Sequence, residues 1–292
     1  MRIKYKSSID KDKADIIKGM KVALSSTVGP CYSFCVPIAC YLWKNMMGYT
    51  PIVFLVDEQE WGQSRHGTFV IDILKEMEID YFFIDRIEGV SSATLSQVSR
   101  LYSFAMCDKD DYVFTSDADM FPLSKKLFKD INMNKEFYIL TKYYDSHRYS
   151  MCYIGGYCRS WSDIMNANEI WKEKDRLHEV NRLLKKDMIE GLRIPHSAID
   201  AYHYDELSFG RKMNSWSGFP DRVKIIRQNN DNRVNLIWNR DESLGHKTDI
   251  HLARDGYRGD AWISLQLVLS NILGDKVINW VVDYRNRFVK KI

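Results

Sequence analysis

The chain has 292 residues, 45% hydrophobic and 13% aromatic, enough to bury a sizeable core in one large domain. Its 42 Lys and Arg against 39 Asp and Glu leave a net charge of +3, too slight to make nucleic acid a bulk partner. The sequence has no run of eighteen apolar residues, which argues against a transmembrane helix, and the charged stretch from Met1 to Gly19 has no apolar core of signal-peptide type.

Taken in chain order, Lys21 to Val28 predicts a first strand ending in a small-residue turn at Gly29-Pro30, and Cys31 to Met47 a mostly apolar helix closed by Gly48. Pro51 to Asp57 is a continuous apolar strand of the kind buried on both faces. Thr68 to Met77 predicts a helix, Tyr81 to Ile84 a third strand, Ala93 to Met106 a helix and Tyr112 to Thr115 a fourth strand. This alternation implies a mostly parallel sheet in a three-layer α/β domain.

The second half is less regular. Phe137 to Thr141 and Met151 to Ile154 predict strands, the latter followed by Gly155-Gly156. A polar helical region is expected from Trp161 to Gly191, a loop at Asn229 to Arg233 and a helix from Trp262 to Leu273. Val277 to Ile292 mixes large apolar with basic residues. A closing element packed on the core is the simpler reading, and a membrane-surface helix the alternative. Cys31, Cys35, Cys40, Cys107, Cys152 and Cys158 form no Cys-x-x-Cys pair and no zinc-spaced cluster, so a reduced, cytoplasmic protein is expected.

The window Tyr112 to Leu123 carries the chemistry. An apolar strand runs into Asp117 and Asp119, spaced i and i+2, which in an extended backbone point to one face. Strand carboxyl ends are where open α/β sheets bind ligands, and two hard oxygen donors there suit Mn²⁺ or Mg²⁺ bridging substrate phosphates. The small Ala118 between them leaves room for a diphosphate.

Phe114-Thr115-Ser116-Asp117-Ala118-Asp119-Met120-Phe121-Pro122-Leu123 resembles the Asp-x-Asp segment of glycosyltransferases with the GT-A fold, and more loosely the small soluble glycosyltransferases of large DNA viruses. The resemblance implies a Rossmann-like, mostly parallel central sheet flanked by helices and joined continuously to an acceptor-binding half. The whole chain is then a single domain: 20–123 for the nucleotide sugar, 124–275 for acceptor and catalysis, and 276–292 as a closing segment. It further implies a metal-dependent transfer from a nucleotide-diphosphate sugar to a glycan or glycoprotein hydroxyl; UDP, GDP and other nucleotides are all compatible with these motifs, with a UDP-sugar favoured over a GDP-sugar.

On that resemblance Thr27 and Val28 take the nucleoside, and Asp57 reaches base or ribose, although a strand-end turn explains Asp57 equally. Arg100, seventeen residues before Asp117, contacts the donor; a surface helix arginine is the alternative. Gly155 and Gly156 let backbone approach the sugar, or form an ordinary turn. His251 is the expected third metal ligand beside Asp117 and Asp119, with His246 second, and Arg254 and Arg258 neutralise the leaving diphosphate. Asp205 is the expected base of an inverting reaction and Glu206 its understudy; an N-terminal helix cap with its first-turn Glu reads the same. Tyr202, Trp161, Trp216 and Trp262 offer stacking faces, or simply core. A retaining enzyme of the same fold, a phosphatase of the haloacid-dehalogenase type and an inactive nucleotide-sugar-binding protein are the competing readings.

Overall fold

The computed structural model describes residues 19–128, 131, 133–141, 144–145, 148–192, 203–227, 233–235, 247–252 and 255–292. Seven strands form the central sheet. They are β1 (Met20–Ser26), β2 (Thr50–Val56), β3 (Asp80–Ile84), β4 (Tyr112–Thr115), β6 (Phe137–Thr141), β9 (Ile154–Tyr157) and β10 (Val223–Arg227), in the order β10-β6-β9-β4-β1-β2-β3. Every neighbouring pair is parallel except the two that involve β9. A smaller sheet joins β5 (Met120–Pro122), β12 (Asp249–His251) and β11 (Arg233–Asn235), and β7 (Tyr144–Asp145) pairs antiparallel with β8 (Arg148–Tyr149).

Period-two alternation divides the strand side chains between two apolar layers. Val22, Leu24, Val53, Leu55 and Phe114 join one buried cluster, while Ala23, Ile52, Phe54, Val56 and Val113 join the other. Helices cover both faces. Cys35–Leu42, Arg65–Glu76, Gly259–Ile272 and Asp275–Val289 pack on the first, and the chain from Ser92 to Met106, Cys158–Ile164, Arg176–Leu192 and Tyr204–Ser215 on the second. The domain is thus α/β, with a mostly parallel central sheet flanked by helices. Continuous apolar strands such as β2 are explained by burial on both sides.

Local chemistry sets the boundaries. Gly48 closes the first long helix at φ 78, a left-handed conformation that glycine adopts without strain. The expected polar helix from Trp161 to Gly191 is instead broken into Cys158–Ile164, a short turn at Ile170–Lys172 and Arg176–Leu192. Trp161 is 1% exposed and donates to the Val113 carbonyl at 3.1 Å, so it serves the core. Trp216 and Trp262 are buried as well, and Tyr202 lies outside the described residues, as does the expected loop from Asn229 apart from Arg233.

The strand expected at Met151–Ile154 is shifted. Cys152 and Tyr153 form a turn, with Tyr153 at φ 63, and β9 begins at Ile154 with both glycines inside it. Gly155 lies opposite Phe114 and Gly156 opposite Phe137. A Cβ on Gly155 would fall 2.3 Å from the Phe114 ring, and one on Gly156 would fall 2.1 Å from Phe137. The pair is glycine because two aromatic rings lie over it.

The C-terminal helix buries Ile278, Val281, Tyr284 and Phe288, and Tyr284 donates to the Phe34 carbonyl at 3.1 Å. Those four side chains contribute roughly 6–12 kcal/mol of apolar burial before ordering costs. The apolar stripe that suggested a membrane surface is therefore spent on the core. Among the described residues no helix is long and apolar enough to cross a membrane.

Candidate active site

The chain moves outward from β1 through β2 to β3, then returns to place β4 on the other side of β1. The carboxyl ends of β1 and β4 therefore flank a topological switch point, where an open α/β sheet leaves a crevice. One cleft of about 990 Å³, counting its open mouth, occupies this place. Ser25, Ser26, Thr27 and Tyr32 line it from β1 and the turn beyond; Ala93, Ser96, Gln97 and Arg100 from one helix face; Asp117, Ala118 and Asp119 from the end of β4. Met151, His203, Asp205, Glu206 and His251 complete it.

Asp117-Ala118-Asp119 is a turn rather than extended strand. The Met120 amide donates to the Asp117 carbonyl at 3.2 Å, and the chain leaves directly as β5. Both carboxylates still line the cleft, so the expected geometry is replaced while the convergence stands. β5 pairs antiparallel with β12, with His251 opposite Met120, and the Leu252 amide donates to the Asp119 carbonyl at 2.9 Å. This small sheet carries His251 Nε2 to 3.6 Å from Asp119 Oδ2. Burial pulls the imidazole pKa down, but Asp119, with Asp117 behind it, outweighs burial and raises it above the usual histidine value.

Arg100 ties the other carboxylates together. It is 4% exposed and donates through one terminal nitrogen to Asp117 Oδ1 and through the other to Asp205 Oδ2 at 2.8 Å. Burial disfavours its charge, and the two aspartates more than compensate, pushing its pKa up. Its buried Nε has no hydrogen-bond partner among the described residues. The Cys152 thiol donates to the second oxygen of Asp117. Burial would raise Asp117, yet Arg100 and the thiol hold it below the ordinary carboxylate range.

Asp205 and Glu206 both sit in the first turn of Tyr204–Ser215, whose N-cap is His203, so a helix does start here but Asp205 is not its cap; the two carboxyls diverge in environment. Asp205 is 2% exposed, and burial raises its pKa despite Arg100. Glu206 is held by Arg148 Nε at 3.2 Å and His203 Nδ1 at 3.3 Å. Burial and the adjacent Asp205 push the Glu206 carboxyl up to about 7.

Several expected residues lie elsewhere. Asp57 takes φ 67 and accepts the Glu60 amide at 3.2 Å as a helix cap, which is the strand-end alternative. Val28 offers its carbonyl to His66 Nε2 at 2.8 Å and does not line the cleft. Gly155 and Gly156 are inside β9, beneath their rings. Arg258 is exposed beside Tyr257 and Asp255 rather than in the cleft. Arg254 and His246 lie outside the described residues.

Tyr32, Ser96, Gln97, Met151 and His203 were missed in the sequence. For two of them a signal existed: Ser96 and Gln97 stand four and three residues before Arg100, on its helix face.

The donor chemistry suits a divalent cation. Asp119 supplies a carboxylate and His251 an imidazole, and such ions commonly complete their shell with substrate phosphates and water. Among the described residues no group of three His, Cys, Asp or Glu side chains is placed to hold a metal ion, so the expected set of Asp117, Asp119 and His251 is not assembled as it stands; Asp117 is bonded to Arg100 and Cys152.

No protein-family model and no curated protein matches the chain. Among solved structures it is similar to a galactosyltransferase, LgtC, in complex with donor and acceptor sugar analogs. That match has 10% identity and a TM-score of 0.44, covering 92% of this chain and 96% of that one. An active-site mutant of LgtC matches at 10% identity and a TM-score of 0.45, covering 88% and 98%. A 4-diphosphocytidyl-2C-methyl-D-erythritol synthase matches at 13% identity and a TM-score of 0.32, covering 57% and 86%.

Proposed function

We propose that the chain is a divalent-cation-dependent glycosyltransferase of GT-A type. The observation that carries this reading is the convergence of Asp119 and His251 with the Arg100-bridged pair Asp117 and Asp205 at the switch-point crevice. Asp117, Asp119, Asp205 and Glu206 line the cleft, and Arg100 is the one arginine among its described lining residues, so the cleft repels a bare anion. A diphosphate enters such a cleft favourably only with a cation. Bound between Asp119 and His251, Mn²⁺ or Mg²⁺ would supply that charge and neutralise the departing nucleoside diphosphate.

The chain's own groups divide the remaining work. Ser25 to Thr27 and Tyr32 form the end of the cleft that takes the nucleoside. Asp205 holds Arg100 in place, and Arg100 in turn orients Asp117 toward the donor. Asp205 has little exposure and is committed to this pair, so the proton of the acceptor hydroxyl goes to Glu206, the carboxyl raised to about 7. As Glu206 takes that proton, the acceptor oxygen bonds to the anomeric carbon from the face opposite the nucleoside diphosphate, whose bond to that carbon breaks, so the configuration inverts; Glu206 takes the place first given to Asp205.

The test is a panel of nucleoside diphosphates and their sugars with and without Mn²⁺. A ligand at a hundred times its Kd stabilises the fold by about 2.7 kcal/mol, visible as a higher melting temperature. Asp119→Ala should erase the metal-dependent part. No metal-dependent stabilisation by any nucleoside diphosphate, or an unchanged one in Asp119→Ala, overturns the proposal. Retention of anomeric configuration in the product would overturn the assignment of Glu206 as base.

A further inference from the structure

The helix Ser92–Ser99 begins at Ser91, whose hydroxyl accepts the Thr94 amide at 3.1 Å, and continues through a tighter turn to Met106. Leu95 and Val98 are fully buried, which fixes the opposite face toward the cleft. Ala93, Ser96, Gln97 and Arg100 occupy that face at i, i+3, i+4 and i+7. The wall is uncharged up to Arg100, and Arg100 is already shared between Asp117 and Asp205. Two further arginines among the described residues near the cleft are engaged in the same way, Arg148 with Glu206 and Arg233 with Asp249.

The cleft therefore combines four carboxylates with a wall whose polar groups are a hydroxyl and an amide. Resting on the transferase reading, we infer that the sugar it transfers carries no negative charge, and that Gln97 with Ser96 reads its hydroxyl groups. A hexose or N-acetylated hexosamine presents neutral donors and acceptors, which an amide and a hydroxyl match in either direction. A uronate would bring a carboxylate beside Asp117, Asp205 and Glu206, with no uncommitted arginine among the described residues of the cleft to receive it. Rejection of the anionic donor is then built from repulsion as much as from fit.

The experiment measures binding by calorimetry with Mn²⁺ for two matched pairs, UDP-glucose with UDP-glucuronate and GDP-mannose with GDP-mannuronate. Within the pair whose nucleotide binds, the neutral sugar should bind at least about tenfold more tightly, a gap that narrows as salt screens the repulsion. Gln97→Lys should reduce the ratio by placing a cation on the wall, whereas Gln97→Leu should weaken the neutral donor without helping the uronate. A uronate bound as tightly as its neutral partner overturns the inference and leaves the transferase reading standing. Failure of these donors and of every free nucleoside diphosphate to bind with Mn²⁺ overturns both.

Discussion

Replacing Arg100 by methionine keeps much of the buried stem and removes the charge that Asp117 and Asp205 share. Asp117 keeps the Cys152 thiol and partial access to water, so the larger penalty falls on Asp205, which is 2% exposed. Stranding one partner of a buried ion pair costs about 3–5 kcal/mol. For a domain of this size that is a fall in melting temperature on the order of 10 °C. The pH dependence follows from sign. Burial already raises the Asp205 pKa, and losing Arg100 raises it further, so the folded variant binds a proton that the unfolded chain has released. The deficit is therefore smallest in acid and grows as pH climbs from the unfolded value of about 3.9 through the folded one. Arg100→Met/Asp205→Asn should recover most of the lost stability, because the second change neutralises the stranded carboxylate. Melting curves from about pH 5 to about pH 8 read all three effects. A single variant melting within about 2 °C of the parent, or a deficit that does not change with pH, refutes the bridge.

Glu206→Gln should preserve metal-dependent donor binding and lower transfer by about a hundredfold, the lower end of a general base's worth. The parent rate should rise with pH through about 7 as Glu206 ionises, and a rate profile in the variant that keeps this limb would exclude Glu206. Cys152→Ala should weaken Mn²⁺-dependent nucleotide affinity by up to roughly tenfold, because the thiol helps hold Asp117, the carboxylate beside the proposed cation pair, in place. Cys152→Ser should recover part of that loss, and equal affinities in all three proteins would make the thiol's contact with Asp117 incidental. Gly155→Ala should destabilise by about 1–3 kcal/mol through overpacking against Phe114, read as a shifted denaturation midpoint. A Gly155→Ala variant as stable as the parent would mean the rings give way freely.

The first half of the fold was readable because its strands are long, apolar and punctuated. β4 runs from Tyr112 to Thr115 and β6 from Phe137 to Thr141 as their patterns predict. The small sheet of β5, β11 and β12 was not, since strands of three residues show no periodicity and their partners are remote in sequence. That sheet is what brings His251 to Asp119. His251 was reached through a family resemblance, and no spacing in the chain encodes the pairing. The glycine pair misled for a related reason: Gly155-Gly156 looks like a turn until β9 is set in register with Phe114 and Phe137. Asp57 ends a strand in either reading, and only its positive φ and its bond to Glu60 show which work it does.

Among the described residues, the cleft's acidic groups fall into two parts bridged by Arg100. Asp119 and His251 belong to a single small sheet, joined by the Leu252 amide as well as by strand pairing, so their separation is set by backbone. Asp205 and Glu206 ride on the first turn of another helix, which no strand connects to Asp117. The Arg100 guanidinium spans that gap, and its helix also carries Gln97. On the proposed reading, donor charge, sugar hydroxyls and the acceptor base would all be referred to this one buried side chain. A point charge such as lysine has no planar fork with which to hold two carboxylates at once, which is why arginine stands at this position.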